Sequence, residues 1–310
     1  MSIISILRNP DKITSSAPHI YELPVKNVVT RRVGDFYSEH PFPNYRQDDT
    51  RESIISRVES SPFLRSLRQE IGFGKRFIEV GCGTGQLSVA MSYGTNSHIV
   101  ALDPTIESLE MGYAFSRRGG IDNIDFVRAD IFDNPFLDHS FDIVWCSGVL
   151  HHTEDPHLAF KIISKWVKPG GLVIVGLYNT FGRLATDFRR YVFKALGSRG
   201  IGRSFLRYTD PVLRGTVDTP KFEAWLRDQY LHPVESKYTI DDILRWFSSA
   251  GITFAGSIPS CVFGDKNYKI SELSSNTATL ASRLASQIDM LFDAAGGEGG
   301  LFIMTGRKEA

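Results

Sequence analysis

Cysteine is scarce in this chain, neither sign of charge is in excess, and no apolar run is long. The three cysteines, Cys82, Cys146 and Cys261, have no metal-ligand spacing. They are expected as free thiols in a reduced, cytoplasmic setting. Lys+Arg and Asp+Glu stand at 35 each, so nothing global draws the chain to nucleic acid or to an anionic membrane. No stretch approaches the ~20 apolar residues of a membrane span, and Met1 to Pro10 is too poor in apolar residues for a signal peptide. No internal repeat is visible. What is present is 310 residues with 42% hydrophobic content, enough for one α/β unit with insertions.

The most informative stretch runs from Arg76 to Gly85, a short apolar strand ending in a turn with Gly81, Gly83 and Gly85 at alternate positions. Helix-like Gln86 to Ala90 follows. Such a turn lets backbone approach a ligand that a Cβ would obstruct. A dinucleotide fingerprint needs a third small residue at position 86, which is Gln86 here. The strand also carries Glu79, a carboxylate that repels a diphosphate and can face the ammonium or hydroxyls of a nucleoside amino acid. Punctuation elsewhere supports alternating strands and helices. Asp155-Pro156 caps a helix that ends near Lys165 and Lys168, and Thr239 with Asp241 and Asp242 starts another that stops at Gly251.

The segment Glu79-Val80-Gly81-Cys82-Gly83-Thr84-Gly85 resembles motif I of class I S-adenosylmethionine (SAM) methyltransferases, with a ubiquinone-biosynthesis-like core from roughly Lys75 to Tyr178. The resemblance implies an α/β, Rossmann-like, doubly wound seven-stranded sheet closed by an antiparallel pair, Ile252 to Ile258 and Leu301 to Thr305. It also implies SAM as cofactor, with S-adenosylhomocysteine as product. Asp103, followed by Pro104, matches the acid that accepts both ribose hydroxyls. Asp130 and Ile131 match the pair that binds adenine through a side-chain oxygen and a backbone N–H. Ser147 and Gly148 open the loop where the methionine end meets the acceptor. With Glu79, Gly81, Cys82, Gly83, Gly85 and Gln86, these are the expected cofactor residues.

Three regions lie outside that core, and the acceptor is expected among them. Residues 1–70 form an N-terminal arm in which Asp35 to Tyr45 packs aromatics and prolines into a rigid lid, presenting Tyr37 and Tyr45. An aromatic clasp sealing the N-terminal helix onto the sheet is the structural alternative. After the core at 71–178 comes an insertion, 179–238, longer than a usual connection. Its first helix puts Leu184, Phe188, Tyr191, Val192 and Ala195 on one face. Residues 182–214 hold eight basic residues and two acids, a net of +6. That excess reads either as a solvated face with i,i+4 pairs such as Arg183 with Asp187, or as a surface for an anionic substrate, a membrane or RNA. Tyr178, Asn179, Arg183, Tyr230, Glu235 and Lys237 are the expected acceptor residues with the two lid tyrosines. Residues 239–310 complete the sheet and hold a helix over Ala278 to Ala294, with Leu280, Leu284, Ile288 and Leu291 inward.

The sulfonium methyl leaves readily, so alignment of acceptor, carbon and sulfur supplies much of the acceleration. What remains for the protein is a proton, and His151, His152 and His232 are the candidate bases. No metal is required by this reading. The expected partner is a small-molecule acceptor, anionic or lipophilic, methylated on O, N or S; nucleic acid is not favoured and the oligomeric state is open. An RNA-modifying methyltransferase, a noncatalytic SAM-binding protein and, more remotely, a nicotinamide oxidoreductase remain as alternatives.

Overall fold

The computed structural model describes residues 3–38, 41–197, 200–214, 220–232, 234–292 and 299–310. Its elements in chain order are β1 (Thr14–Ala17), β2 (Ile20–Glu22), α1 (Val28–Ser38), α2 (Arg51–Glu59), α3 (Pro62–Ile71), β3 (Arg76–Val80), α4 (Gln86–Ser92), β4 (His98–Asp103), α5 (Ile106–Arg118), β5 (Ile124–Arg128) and β6 (Phe141–Ser147). Then follow α6 (Pro156–Trp166), β7 (Val167–Tyr178), α7 (Leu184–Leu196), α8 (Ile201–Thr209), α9 (Pro220–Leu226), α10 (Ile240–Ser249), β8 (Ile252–Ile258), α11 (Leu280–Asp289) and β9 (Leu301–Lys308). The strands form one sheet in the order β1-β2-β5-β4-β3-β6-β7-β9-β8.

Strands β3 to β7 pair in parallel, β9 lies antiparallel between β7 and β8, and near-continuous apolar runs such as Phe77 to Val80 bury both faces of the centre. Two apolar clusters cover the two faces of the sheet, one around Val100, Val144 and Phe160, the other around Phe77, Ile99 and Phe126. The caps read in the sequence are present. Asp155 accepts from Leu158 N at the start of α6, and Thr239 forms a reciprocal capping box with Asp242 at the start of α10.

The sheet has nine strands, not the seven expected. The arm supplies the extra pair: β2 runs parallel to β5, with Ile20 opposite Phe126, and β1 pairs antiparallel outside it. These strands are three and four residues long, and β1 is solvent-facing, so no apolar alternation announces them.

Helix α7 turns much of its apolar stripe to solvent. Leu184, Phe188 and Tyr191 are 49%, 66% and 75% exposed, whereas Arg183, Thr186 and Phe193 are buried. The inward face is organised by an ion cluster rather than by the apolar stripe. Arg183 donates to both Glu235 oxygens (3.2 and 2.8 Å) and Arg190 reaches Glu235 at 2.5 Å. Burial pushes the Glu235 carboxyl up, but the hydrogen bonds and charges of the two guanidiniums outweigh it and hold it at about 2. Asp187 pairs with Arg190 and Lys237, not with Arg183 as the i,i+4 spacing suggested. Beside this cluster the insertion has a small core of its own, Phe193, Leu206, Leu213, Phe222, Leu226 and Tyr230.

Helix α11 is also shorter and differently oriented than expected. Leu280 and Ile288 are exposed, Leu284 and Leu291 are half-buried, and Ser286 and Gln287 face inward. Gln287 Oε1 accepts from Asn179 Nδ2 (2.8 Å) and Ile240 N (3.0 Å), so a polar side chain fixes this helix. Residues 293 and 294, included in the expected helix, lie outside the described residues.

Removing the Glu235 carboxylate strands the buried Arg183 guanidinium and takes one partner from the half-buried Arg190. Glu235→Ala is expected to lower stability by about 3–5 kcal/mol, as for breaking a buried pair from one side, and chemical denaturation of both proteins measures it.

Candidate active site

At the carboxyl edge of β3, β4 and β6, the turn after β3 folds back under the end of β4. Gly81 N and Cys82 N both donate to Leu102 O, and Gly83 N donates to Asp103 Oδ2 at 2.8 Å. The other Asp103 oxygen accepts from Thr105 N at 2.9 Å. Gly83 has a positive φ of 53°, and a Cβ there would stand 2.0 Å from Phe42 O. At Gly81, φ is 69° and a Cβ would meet Val149 at 2.2 Å. Neither position admits a side chain.

The arm clasps this turn. Thr84 Oγ1 donates to Pro43 O at 2.5 Å, Gln86 Nε2 to the carbonyls of Pro43 and Asn44, and Tyr45 Oη to Thr84 O at 2.9 Å. Tyr45 stacks on Phe115 with centroids 4.1 Å apart. Residues 39 and 40 of the expected lid lie outside the described residues.

Arm, sheet edge and insertion together enclose a cavity of about 510 Å³, within the usual size range of small-molecule sites. Of the cofactor residues expected from the sequence, Glu79, Gly81, Cys82, Gly83, Gln86, Asp103, Pro104, Asp130, Ile131, Ser147 and Gly148 line it. Gly85 does not; it starts α4 with φ 73°. Of the acceptor residues, Tyr37 and Tyr178 line the cavity. Tyr45, Asn179, Arg183, Tyr230, Glu235 and Lys237 do not. Tyr45 braces the turn, Asn179 binds Gln287, and Arg183 and Glu235 form the buried cluster. Lys237 pairs with Asp187, while Tyr230 donates to Asp210 Oδ2 at 2.5 Å.

Asp228, Gln229 and Trp225 line the cavity in place of Tyr230. The segment Arg227–Leu231 is a π-helical turn, so its faces follow an i→i+5 spacing that α-helical counting misplaces. Its density of polar and aromatic residues was the available signal. Tyr37 Oη donates to Asp228 Oδ1 (2.7 Å), and Gln229 Nε2 donates to Asp228 Oδ2 (2.7 Å) and to Tyr178 Oη (2.8 Å). Arg183 stacks 3.8 Å above the Tyr178 ring and donates to Gln229 Oε1, so the buried cluster positions the cavity wall without touching the cavity.

The three histidines separate by environment. His152 lines the cavity. His151 is buried behind it, its ring 4.0 Å from Tyr178, with neither ring nitrogen bonded among the described residues. His232 packs against His152, the ring centroids 3.6 Å apart and the planes tilted by 32°, and lies off the cavity. Burial lowers all three; for His232, burial and the neighbouring His152 charge bring it to about 3.

The carboxylates fit an adenosyl amino acid. Asp130 Oδ1 accepts from Phe132 N at 2.9 Å, while its buried Oδ2 has no hydrogen-bond partner among the described residues. That oxygen is an acceptor in need of a donor such as an exocyclic amine. Glu79 Oε2 accepts from Ser88 N (2.8 Å) and Ser88 Oγ (2.6 Å). Burial raises its carboxyl to about 8 against those bonds, with the Asp103 charge adding to the rise. The described residues contain no group of three or more His, Cys, Asp or Glu arranged to hold a metal, and no helix long and apolar enough to cross a membrane.

Comparison with known proteins agrees with this geometry. Residues 78–175 match the family model described as "Methyltransferase domain". The chain is 25% identical over 283 residues to an uncharacterized protein of Synechococcus sp., covering 83% of this chain and 66% of that one. It is 31% identical over 154 residues to the ubiquinone biosynthesis O-methyltransferase of Vibrio atlanticus, covering 48% of this chain and 57% of that one. The chain thus spans about two thirds of the first relative and somewhat over half of the second. Among solved structures, PKMT2 from Rickettsia typhi in complex with AdoHcy aligns with a TM-score of 0.55 at 16% identity, over 86% of this chain and 55% of that one.

Two measurements check the site. Asp130→Asn keeps an oxygen for Phe132 N but turns an NH2 towards the cavity. It is expected to weaken S-adenosylhomocysteine binding by about ten- to a hundredfold, the worth of one hydrogen bond to a charged group, with little change in melting temperature. The raised Glu79 pKa contributes stability that is complete below its unfolded value of 4.5 and lost as pH rises to about 8. The ligand-free Glu79→Gln variant should therefore show a flatter melting-temperature profile across that window than the parent protein.

Proposed function

We propose that this chain is a class I SAM-dependent methyltransferase, as the match of residues 78–175 to the methyltransferase-domain family model supports, and that it moves the SAM methyl group onto a small-molecule acceptor that carries no negative charge near the reacting atom. SAM supplies a methyl carbon on a sulfonium, already activated for displacement. The protein's part is binding and alignment. Asp130 Oδ2 offers its free acceptor capacity to adenine, and the turn Gly81–Gly85, pinned by Asp103, admits ligand against bare backbone. Asp103 places a carboxylate beside a cationic cosubstrate, and a bound sulfonium or ammonium would draw Glu79, raised to about 8 by burial, towards its charged form.

The observation that carries the acceptor class is the charge of the lining. Asp103, Asp130 and Asp228 face the cavity beside Glu79, whose carboxyl burial raises to about 8, and its one guanidinium among the described residues, Arg57, is held by Asp49 at 2.5 Å. An anionic acceptor would meet carboxylates with no free cation to offset them. Half of the eight basic residues over 182–214 are held internally. Arg183 and Arg190 bind Glu235, Arg203 binds Glu223, and Arg189 donates to Tyr230 and Thr186. Arg199 lies outside the described residues. That consumption, with a net charge of zero, weighs against a phosphate track for RNA.

Incubation with methyl-labelled SAM and an extract fractionated into anionic, neutral, cationic and RNA pools tests the reading. Label is expected in the neutral or cationic small-molecule pools. Label confined to RNA or to the anionic pool would refute the acceptor class, and S-adenosylhomocysteine binding with no label anywhere would favour a noncatalytic SAM-binding protein.

A further inference from the structure

Of the acids that line the cavity, Asp228 is the one that stands apart from the expected cofactor residues. Asp103 ends β4 and Asp130 follows β5, so the strand order β5-β4-β3-β6-β7 puts both on one flank of the glycine turn. Asp228 stands on the other flank, sharing the Gln229 amide with Tyr178 at the end of β7. It also lies outside the stretch 78–175 that matches the methyltransferase-domain model.

Two neutral donors grip its carboxylate, Tyr37 Oη on Oδ1 and Gln229 Nε2 on Oδ2, each at 2.7 Å. Gln229 is itself fixed. Its two amide hydrogens go to Asp228 and Tyr178 Oη, and its oxygen accepts from Arg183. The grip orients the carboxylate without neutralising it. Among the described residues no cation pairs with Asp228: Arg57 is held by Asp49, and Arg183, against the Tyr178 ring, is held by Glu235 and meets Asp228 only through the neutral Gln229 amide. The negative charge is felt along the cavity wall. Burial and then Asp228 raise the hydroxyls of Tyr37 and Tyr178, and Asp228 pulls His152 up against the burial that lowers it. A carboxylate has about four acceptor positions, and neutral donors here take two.

Resting on the methyl-transfer reading above, we propose that Asp228 is the counter-ion of the acceptor, which carries a positively charged nitrogen, and that this carboxylate selects amines over alcohols and acids of the same shape. The ammonium donates to the lone pairs of Asp228 that Tyr37 and Gln229 leave open. It enters a cavity whose cosubstrate is itself a cation, and two like charges repel. Asp228 offsets that repulsion at the acceptor side, as Asp103 does at the ribose side, and Tyr37 lies within the field of both. A neutral acceptor leaves the carboxylate without a counter-charge, and an anionic one meets it with like charge.

The test incubates the full chain with methyl-labelled SAM and extract pools separated by charge before the reaction. Label is expected in the cationic pool, and benzylamine is expected to inhibit that labelling more strongly than benzyl alcohol, and benzoate least. Asp228→Asn keeps the wall, since its oxygen can still accept from Gln229 Nε2 while its NH2 donates to Tyr37 Oη. The variant should raise the KM of the labelled acceptor by about ten- to a hundredfold, the worth of a charged hydrogen bond, and lose the preference for benzylamine. Its melting temperature should hold, and its S-adenosylhomocysteine affinity should stay within about twofold. Label in the neutral pool alone, or no preference for benzylamine in the parent protein, would overturn the cationic class and leave methyl transfer standing; both results are independent of the variant's folding. An unchanged KM in a folded Asp228→Asn would overturn the role of Asp228. Loss of S-adenosylhomocysteine affinity in that variant would assign the carboxylate to the cofactor's own ammonium and overturn it equally. No label in any pool would sink the methyl-transfer reading, and the proposal with it.

Discussion

The Asp103 carboxylate, with one oxygen on Gly83 N and the other on Thr105 N, is the contact on which the site depends. It sits at the end of β4 and holds the turn after β3 in a left-handed course that only glycine tolerates, while the same carboxylate borders the cavity. Parallel pairing of β3 with β4 sets the register that brings the two loops together, and strand ends of an open α/β sheet meet ligands at this edge. Burial raises the Asp103 pKa even though both oxygens are hydrogen-bonded, so the acid stands where a cation or a pair of hydroxyls is welcome. The turn is braced on its far side by the arm, through Pro43, Asn44 and Tyr45, which makes the arm part of the site's wall.

A second constraint holds the acceptor wall. Arg183, buried between Glu235 and the Tyr178 ring, joins α7, the segment before α10 and the π-helical turn. Neither partner of this pair lines the cavity, yet Gln229 and Tyr178 take their positions from it. Burying guanidiniums against one carboxylate is a costly way to gain stability. Its effect here is geometric, fixing the direction of Gln229 and through it the carboxylate of Asp228.

The cofactor half was readable because its signals are local. Strand, alternating glycines and helix fall within a dozen residues and carry the family resemblance, and that resemblance implies Asp103 and Asp130, which both line the cavity. The acceptor half was not, because its wall is assembled from α1, the β6 loop and the π-helical turn, each placed by long-range contacts. Tyr230 is singled out by the density of hydrogen-bonding groups around it, and such density carries no direction, so Asp228 and Gln229 are passed over. The stripe of α7 gave one apolar face but not its direction; the ion cluster took the inner side, and Leu184, Phe188 and Tyr191 face solvent. The added edge pair β1–β2 was hidden by its brevity.

All of this assigns the recess to an adenosyl amino acid rather than to a dinucleotide. Isothermal calorimetry with S-adenosylhomocysteine and with NADH on the same protein distinguishes them most directly. The account requires saturable heat from S-adenosylhomocysteine and none from NADH. Saturable NADH binding with no response to S-adenosylhomocysteine would contradict it.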